Sequence, residues 1–382
     1  MKKGRPSLAE RRRHDGPKIM GWTERASIYQ EIETHRRRPL VVYITSKRVG
    51  VYGSMATDAL PFLIDQLDAL PTGTKAIDLM IVSFGGDPMV AWRIMSLIRQ
   101  RVQKVSVLIP QSAYSAATLL AFGANQIVMH PNGHLGPVDM QIVTSGGSGA
   151  PKEFSTEDIT AFIEFVRDNV KISAQEQLRI LFERTCFEVG SLGIGFTARS
   201  SKLAIDLGER LLALHLPDDD GGAKRKRIVQ DMCKKFQSHA YPINREEALD
   251  IGLAVNRRRD KKLEDLMWKA WLDIEAELEE RIPFDPIVEL MKSPEAGKLA
   301  AAVPQADFPV SASVSFGAAD LKGAHTVSVD PVPFKLIIAL TESCRMSNRC
   351  LQAGKILSCR AQDLSIQYNL VTESRTWETN RK

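Results

Sequence analysis

Serine, glycine and histidine residues occur in three short segments that could together carry out acyl-transfer chemistry. In the first segment, an apolar run ends in Ser83-Phe84-Gly85-Gly86, just before a predicted helix. Glycines at such a junction leave backbone N–H groups uncovered beside a helix start, which is how an oxyanion or a phosphate is held. A Gly-Gly pair alone more often marks a plain strand-to-helix turn.

The second segment, residues 110–118, places Ser115 at the start of another predicted helix, among small side chains. A helix N-terminus supplies free N–H donors and the positive end of the helix dipole, and both would stabilise a negative oxygen beside the serine. The alternative is that Ser115 or Ser112 only caps the helix, which is the usual role of serine there.

The third segment contains His130, His134 and Asp139 in a turn-rich stretch after the fourth predicted strand. The proline and glycine between the two histidines exclude a helix, so the histidines do not form a helical metal-binding pair. Asp139 lies between Val138 and Met140, and this predicts a partly buried carboxylate that needs a partner.

These segments lie where predicted strands alternate with predicted helices. Apolar, β-branched runs predict strands at 40–45, 77–82, 105–109 and 126–129, and helical spacing predicts helices at 59–70, 89–102 and 115–123. Strands that alternate with helices form a parallel sheet whose active site lies at the carboxyl ends of the strands. The sequence therefore predicts an α/β fold.

The order of these motifs resembles the Clp/crotonase superfamily. Within it, the chain is most similar to the serine dehydrogenase proteinase family, whose relatives include the Clp proteolytic subunit and signal peptide peptidase A. The motifs that carry the resemblance are Ser-Phe-Gly-Gly at 83–86, Ala-Tyr-Ser-Ala-Ala-Thr-Leu-Leu-Ala-Phe-Gly-Ala at 113–124, Ile-Val-Met-His-Pro-Asn-Gly-His-Leu-Gly-Pro-Val-Asp at 127–139 and Ser-His-Ala-Tyr-Pro-Ile at 238–243. The resemblance implies a Clp/crotonase-like parallel-sheet core, a β-β-α superhelix, followed by a C-terminal extension.

The same resemblance implies the roles of individual residues. Ser115 is expected to be the nucleophile, with Asp139 and His239 completing a Ser-Asp-His triad, and the N–H groups of Gly86 and Ala116 forming the oxyanion hole. His239 also precedes a predicted helix start, which places it on a loop, where catalytic groups often lie. The implied activity is that of a ClpP-class serine endopeptidase that acts on peptides or proteins without a cofactor or a metal.

Three alternatives to this interpretation remain open. Where the family has Ser-Gly-Gly, this chain has Ser115-Ala116-Ala117, and the added methyl groups would narrow the cleft or restrict the turn, which suits an inactive scaffold. Lys171 could replace the histidine in a Ser-Lys dyad if burial lowers its pKa, although a solvated helix lysine is its ordinary role. A crotonase-type enzyme acting on acyl-CoA would need the oxyanion hole but no serine nucleophile.

The composition fits an ordinary folded protein. Of 382 residues, 44% are hydrophobic and 25% are charged, which excludes disordered, collagen-like and disulfide-scaffold classes. There is no apolar run of about 18 residues that would predict a membrane span.

The five cysteines lack CxxC spacing, so we expect structural thiols and a reducing, cytoplasmic location. Residues 1–50 hold 13 Lys/Arg against 5 Asp/Glu, which favours a solvated arm over a nucleic-acid site.

Four regions and one self-association surface are predicted. The regions are a basic N-terminal arm at 1–38, a Clp/crotonase-like serine protease domain at 39–258, a helical extension and linker at 259–310, and a small C-terminal module or poorly ordered tail at 311–382. Trp268, Trp271 and Leu272 form an apolar stripe on a predicted helix at 263–280. Together with the family resemblance, this stripe predicts a homo-oligomer.

Overall fold

The computed structural model describes residues 19–51, 53–138, 141–145, 151–218, 220–236, 238–301, 327–361 and 365–382. Its strands are β1 (Leu40–Thr45), β2 (Ala76–Val82), β3 (Lys104–Ile109), β4 (Ser112–Ala113), β5 (Gln126–Met129), β6 (His134–Leu135), β7 (Gln141–Ser145), β8 (Pro151–Ser155), β9 (Val327–Ser328), β10 (Val332–Glu342), β11 (Met346–Arg360) and β12 (Ile366–Arg381). Its helices are α1 (Gly21–Arg36), α2 (Leu60–Asp68), α3 (Pro88–Arg99), α4 (Ala116–Phe122), α5 (Thr156–Asp168), α6 (Gln175–Val189), α7 (Ser191–Ala213), α8 (Ala223–Lys234), α9 (Arg245–Ile251), α10 (Lys261–Glu277), α11 (Pro286–Lys292) and α12 (Glu295–Ala301), with a 3₁₀ turn at Thr57–Ala59.

One large mixed sheet organises the molecule. Its strand order is β12-β11-β10-β1-β2-β3-β5, and β9 pairs with β11. Strands β1, β2, β3 and β5 pair with one another in parallel. On the other side of β1, the pairs β1–β10, β10–β11 and β11–β12 are antiparallel. All four strands predicted before residue 130 are present, and the predicted α/β class is confirmed.

Helices cover both faces of the parallel half of the sheet. Along β1, the buried side chains alternate between two hydrophobic clusters: Val41 contributes to one and Val42 to the other. Helices α2, α3 and α4 pack in the first cluster, and α1 and α10 pack in the second. A strand that is covered on both faces must be apolar along its whole length, which explains the continuous Leu-Val-Val-Tyr-Ile run of β1.

Helix α1 takes up 16 of the 38 positions of the predicted basic arm. Its face is buried against the sheet, and Arg25 is fully buried, where it pairs with Asp273 and with Glu342 at 2.9 Å. Buried charges require such partners, because an unpaired ion in the interior is strongly disfavoured. The expectation of a solvated arm is therefore wrong for Gly21–Arg36, and residues 1–18 lie outside the described residues.

The described C-terminal residues extend the large sheet. Strand β10 pairs antiparallel with β1, with Ile44 opposite Leu340, and β11 and β12 follow in long antiparallel pairs. The strand predicted at 334–340 lies within β10, whereas the one predicted at 310–316 lies outside the described residues. The predicted division into four regions remains a prediction.

Helix α10 packs the two tryptophans of the predicted self-association stripe against its own chain, whereas Leu272 is 36% exposed. Trp271 is 1% exposed and belongs to the hydrophobic cluster beneath α1. Trp268 stacks on the His130 ring, with ring centroids 4.8 Å apart. The two tryptophans pack on their own chain, so the placement of an oligomer interface on this helix is wrong.

Candidate active site

The Gly85-Gly86 turn follows the carboxyl end of β2 and is held in a narrow space. The N–H of Met55 donates to the Gly85 carbonyl at 2.7 Å, and the N–H of Asp87 donates to the Met55 carbonyl at 3.0 Å. Both glycines have positive φ angles, 101° and 145°. A Cβ on Gly86 would lie 2.5 Å from the Met55 carbonyl oxygen, so only glycine fits this turn.

The other side of the turn lies against Ser115. A Cβ on Gly85 would be 2.9 Å from the Ser115 Cβ and 3.0 Å from the Ala116 nitrogen. Strands β2 and β3 are parallel neighbours, so the turns after β2 and after β3 meet at the same edge of the sheet. The first two predicted site segments are therefore brought into contact.

A buried pair of hydroxyl groups fixes the start of the glycine turn. The Ser83 Oγ lies 2.7 Å from the Thr45 Oγ1 and accepts the N–H of Gly85 at 3.0 Å. Both hydroxyl groups belong to residues that are fully buried. Ser83 is thus a positioning residue, and the sequence reasoning missed its role although it quoted Ser83 as part of the motif.

Ser115 has an unusual backbone conformation. Its φ and ψ angles are 51° and −117°, in a region that residues other than glycine seldom occupy. Its N–H donates to the Pro137 carbonyl at 3.3 Å, and its carbonyl accepts the N–H of Leu119 in α4 at 3.0 Å. Strained residues of this kind persist where the surrounding structure enforces them, and they cluster at functional sites.

Two backbone amides at this point are available to a ligand. Within the described part of the chain, the N–H groups of Gly86 and Ala116 donate to no backbone or side-chain acceptor, whereas the next amide, that of Ala117, bonds to the Tyr114 carbonyl at 2.9 Å. Free amides beside a strained serine are the donors that an oxyanion requires. Their role as an oxyanion hole remains a prediction.

The methyl groups of Ala116 and Ala117 lie in the hydrophobic core. Both residues are almost fully buried and belong to the cluster beneath α3 and α4. The expected narrowing of the cleft by these methyl groups therefore has no support in the packing of α4.

The segments that precede Asp139 and follow His239 pair with each other. Leu135 and Ile243 form an antiparallel bridge with N–H to carbonyl distances of 2.9 Å and 2.8 Å. Asp139 lies outside the described residues, but the N–H of Val138, one position earlier, donates to the Met232 carbonyl at 3.0 Å. The chain at Pro137 and Val138, just before Asp139, thus runs between Ser115 and α8.

His239 lies in a turn beside the residue that precedes Ser115. The Tyr114 hydroxyl donates to the Ala240 carbonyl at 3.5 Å, and the turn is closed by the Tyr241 N–H donating to the Ser238 carbonyl at 3.0 Å. The His239 side chain is half-buried. The turn thus contacts the Tyr114 side chain, and the hydrogen bonds of the triad itself remain a prediction.

The competing lysine and the two earlier histidines have other surroundings. Lys171 is exposed on a turn after α5, so it lacks the burial that a lysine base requires. The backbone N–H of Asn132 donates to His130 Nδ1 at 3.0 Å, and the His134 ring meets the Tyr114 ring edge to face, with centroids 5.4 Å apart. Burial lowers the pKa of both histidines.

Sequence reasoning missed Lys47, which follows the carboxyl end of β1. Its ammonium lies 5.5 Å from the centroid of the Phe84 ring and 4.8 Å from that of the Trp271 ring, and it donates to the Gln111 Oε1. Burial lowers the pKa of Lys47. The sequence did contain a signal for Lys47: it follows the predicted strand β1, which is the neighbour of β2, and β2 leads into the glycine turn.

No helix in the described part of the chain combines the length and the apolar character that a bilayer-spanning segment needs. Among the same residues, no group of three or more histidine, cysteine or acidic side chains is arranged to hold a metal ion.

Comparison with known proteins relates part of this chain to serine proteinases. Residues 25–157 match the family described as ClpP-like SDH-type serine proteinase. The uncharacterized protein MJ0137 of Methanocaldococcus jannaschii is 26% identical over 249 residues, which are 64% of this chain and 77% of that protein. The uncharacterized protein MJ1495 of the same organism is 26% identical over 191 residues, which are 50% of this chain and only 56% of that protein.

Two solved structures also resemble this chain. Both are of variants of the 1510-N membrane-bound stomatin-specific protease, one of them in complex with a substrate peptide. Each is 17% identical, has a TM-score of 0.34 and covers 59% of this chain, with 83% and 78% of the respective neighbour covered.

The matched segment begins at Arg25 within α1 and ends at residue 157, just after β8. It contains the parallel strands and the elements around the serine. It agrees with the predicted Clp/crotonase-like α/β fold class and with the family that the motifs resemble. The residues that carry the Gly85-Gly86 turn and Ser115 thus lie inside the segment that matches the ClpP-like SDH-type serine proteinase family.

Proposed function

We propose that this chain is a serine endopeptidase that hydrolyses peptide bonds through an acyl-enzyme formed on Ser115. The observation that carries the proposal is the backbone at the serine. Ser115 has a φ angle of 51°. The turn that contains Gly86 contacts the turn that contains Ala116, and the amides of these two residues donate to no acceptor in the described part of the chain. A nucleophile needs preorganised donors next to it, and a merely capping serine does not.

The proposed reaction follows from these positions. The Ser115 oxygen attacks the scissile carbonyl carbon, its proton passes to the His239 imidazole, and the Gly86 and Ala116 amides hold the resulting oxyanion. The imidazolium then gives the proton to the leaving amine, and water repeats the sequence on the acyl-enzyme. Asp139 is assigned to hold the His239 tautomer. The contact between the His239 turn and Tyr114 supports the assignment of His239 as the base.

The substrate is proposed to be a peptide or protein, and the location to be the cytoplasm. None of the five cysteines forms a disulfide within the described part of the chain, and Cys233, Cys344 and Cys350 are buried, which suits a compartment that keeps thiols reduced. The Phe84 side chain is 54% exposed beside the glycine turn and offers an apolar contact for a substrate side chain.

Hydrolysis of unfolded casein by the full chain tests the proposal. The Ser115→Ala variant is expected to lose turnover by at least about 10³-fold, because removing the nucleophile leaves only binding and the oxyanion hole. The matched control is Ser96→Ala, since the Ser96 hydroxyl only donates to the Trp92 carbonyl within α3. Turnover that is equal in wild type and Ser115→Ala would contradict the proposal.

Two further variants distinguish the triad from the dyad. His239→Ala is expected to lose nearly as much turnover as Ser115→Ala, because the members of a triad act as a unit. Lys171→Ala is expected to keep wild-type turnover. The opposite pattern, in which Lys171→Ala is inactive and His239→Ala is active, would assign the base to the lysine.

A further inference from the structure

Lys47 lies at the same edge of the sheet as the glycine turn and Ser115. The strand order β1-β2-β3 places the chain after β1, the turn after β2 and the segment after β3 side by side, because parallel strands end at one edge. The Lys47 ammonium contacts both neighbours: it lies 5.5 Å from the centroid of the Phe84 ring and donates to the Gln111 Oε1. A cation therefore lies beside the turn that contains Gly86.

The acidic side chains around the Lys47 ammonium are engaged by other groups. Glu280 accepts the backbone N–H of Lys47 through its two carboxylate oxygens, at 2.8 Å and 3.0 Å. Glu275 pairs with Arg281 at 2.7 Å. Within the described part of the chain, the acceptor of the ammonium is the neutral amide oxygen of Gln111. An ammonium has three N–H donors, so this one can bind a further acceptor.

Two aromatic rings define the surroundings of the Lys47 ammonium. The Trp271 ring, 4.8 Å away, is 1% exposed and closes the side that faces the core. The Phe84 ring is 54% exposed and meets the Tyr114 ring edge to face, with centroids 5.6 Å apart. Tyr114 directly precedes Ser115. An exposed apolar ring thus lies between the half-buried cation and the residue before the serine.

Gln111 holds the Lys47 ammonium in place. The Gln111 Oε1 accepts the ammonium and also the hydroxyl of Ser112, which is fully buried. The Gln111 carbonyl accepts the N–H of His134 at 2.9 Å. Binding to a lysine normally costs conformational entropy, because its long side chain must be immobilised. An ammonium that is already anchored binds a ligand at a smaller cost.

We propose that Lys47 and Phe84 form a subsite for an acidic side chain of the peptide substrate, an inference that rests on the proposed peptidase function. The methylene groups of a glutamate can pack on the exposed ring, and its carboxylate can accept a charge-assisted hydrogen bond from the ammonium. Burial lowers the pKa of Lys47 because the ammonium loses hydration, and a bound carboxylate would offset this loss. A purely apolar side chain would contact the ring but leave the charge without a counter-ion.

The test compares pairs of peptides that differ only in one glutamate or glutamine. The probes are alanine- and serine-based decapeptides with acetylated and amidated ends, so the glutamate side chain is their only carboxylate. The residue is moved through successive positions, and mass spectrometry locates the cleaved bond. At one position relative to that bond, the wild type is expected to cleave the glutamate peptide with a kcat/KM at least about tenfold above that of the glutamine peptide, as one charge-assisted hydrogen bond would give.

Three variants assign this preference to a residue. Lys47→Met keeps the length of the side chain but removes the charge, and it should lower the glutamate-to-glutamine ratio to about one. Lys47→Arg keeps the charge and should retain a ratio well above one. The matched control is Lys104→Met, because Lys104 is exposed at the amino end of β3, on the opposite edge of the sheet. It should keep the wild-type ratio, and circular dichroism checks that each variant is folded.

The outcomes separate this inference from the proposed function. A ratio near one at every position, in a wild type that hydrolyses casein, would overturn the inference and leave the proposed function standing. A ratio that survives in Lys47→Met, whether or not both rates fall, would overturn the inference as well. If casein is not hydrolysed, the proposed function is contradicted. Calorimetric titration of the same peptides into Ser115→Ala then decides the inference, by the same ratio of dissociation constants and its loss when Lys47→Met is added.

Discussion

The sheet around Ser115 and the helices α5 to α7 are both rich in apolar side chains, but they differ in what covers them. The parallel strands are covered by helices on both faces, and the glycine turn and the serine are held by backbone contacts on several sides. Helices α5 to α7, in contrast, carry large apolar side chains that are more than a third exposed, among them Phe165, Phe187 and Leu192. The sheet region is thus covered by its own chain, whereas many apolar side chains of the helical region stay exposed.

This difference has a consequence for the proposed chemistry. A strained residue such as Ser115 keeps its conformation only where many contacts fix it, so a nucleophile belongs in the fully packed region. Regions with few buried apolar contacts open locally at low free-energy cost and are suited to association or movement. The predictions below test whether the two regions differ as described.

The largest expected effect is on stability, from truncating one apolar residue in each region. Trp271→Ala is expected to lower the free energy of unfolding by about 3–5 kcal/mol, because it opens a cavity under α1. Phe187→Ala is expected to change it by no more than about 0.5 kcal/mol at concentrations where the chain is monomeric. Urea unfolding followed by circular dichroism measures both. Equal losses would show that Phe187 is covered by its own chain.

The next effect is on turnover, from adding one methyl group at a glycine. Gly85→Ala places a Cβ 2.8 Å from the Tyr114 carbonyl oxygen, so it should displace the start of α4 and lower turnover by about 10²-fold or more. The matched control is Gly73→Ala, which has a similar positive φ angle but no atom within 4 Å of its Cβ. The control should lose about 1–2 kcal/mol of stability and keep its turnover. Normal casein hydrolysis by Gly85→Ala would remove this turn from the mechanism.

The smallest effect concerns the junction between the two regions. The His215 Nε2, just after α7, lies 2.9 Å from the Phe122 carbonyl of α4. Burial, aided by Arg99, lowers the pKa of His215. The folded chain therefore binds fewer protons than the unfolded chain below the ordinary histidine pKa of about 6.5, so stability should be full above that pH and decrease as the pH falls.

His215→Gln tests this pH dependence, because glutamine keeps a donor but does not titrate. Thermal unfolding of this variant should depend less on pH between about 7 and 5 than that of the wild type. Part of the dependence should remain, since burial also lowers the pKa of His130 and His134. A variant with the full wild-type slope would assign the dependence to other groups.

The parallel half of the fold was predictable because its signals are local. Continuous apolar runs mark strands buried on both faces, and the four strands lie at or within one residue of the predicted bounds. Helix α1 was not predictable as part of the core, because the partners of Arg25 lie 248 and 317 positions away. Likewise, the stripe on α10 indicated an amphipathic helix but not which surface its tryptophans meet.

For the candidate site, spacing located the residues but not their contacts. The motif order indicated Gly86 and Ser115, because each follows a buried strand. The contribution of Tyr114 was not visible, because its hydroxyl reaches Ala240 across 126 positions. Lys47 was missed for a similar reason, since the aromatic rings around it come from the turn after β2 and from α10. Long-range side-chain contacts of this kind have no pattern in the local sequence.

The central claim, that Ser115 is an activated nucleophile, is tested most directly by covalent labelling with a fluorophosphonate. The wild type is incubated with the probe and digested, and the modified peptide is identified by mass spectrometry. We expect one adduct on Ser115 that is absent in Ser115→Ala and retained in Ser96→Ala. Labelling that persists in Ser115→Ala, or no adduct on Ser115 in a folded wild type that hydrolyses casein, would contradict the claim.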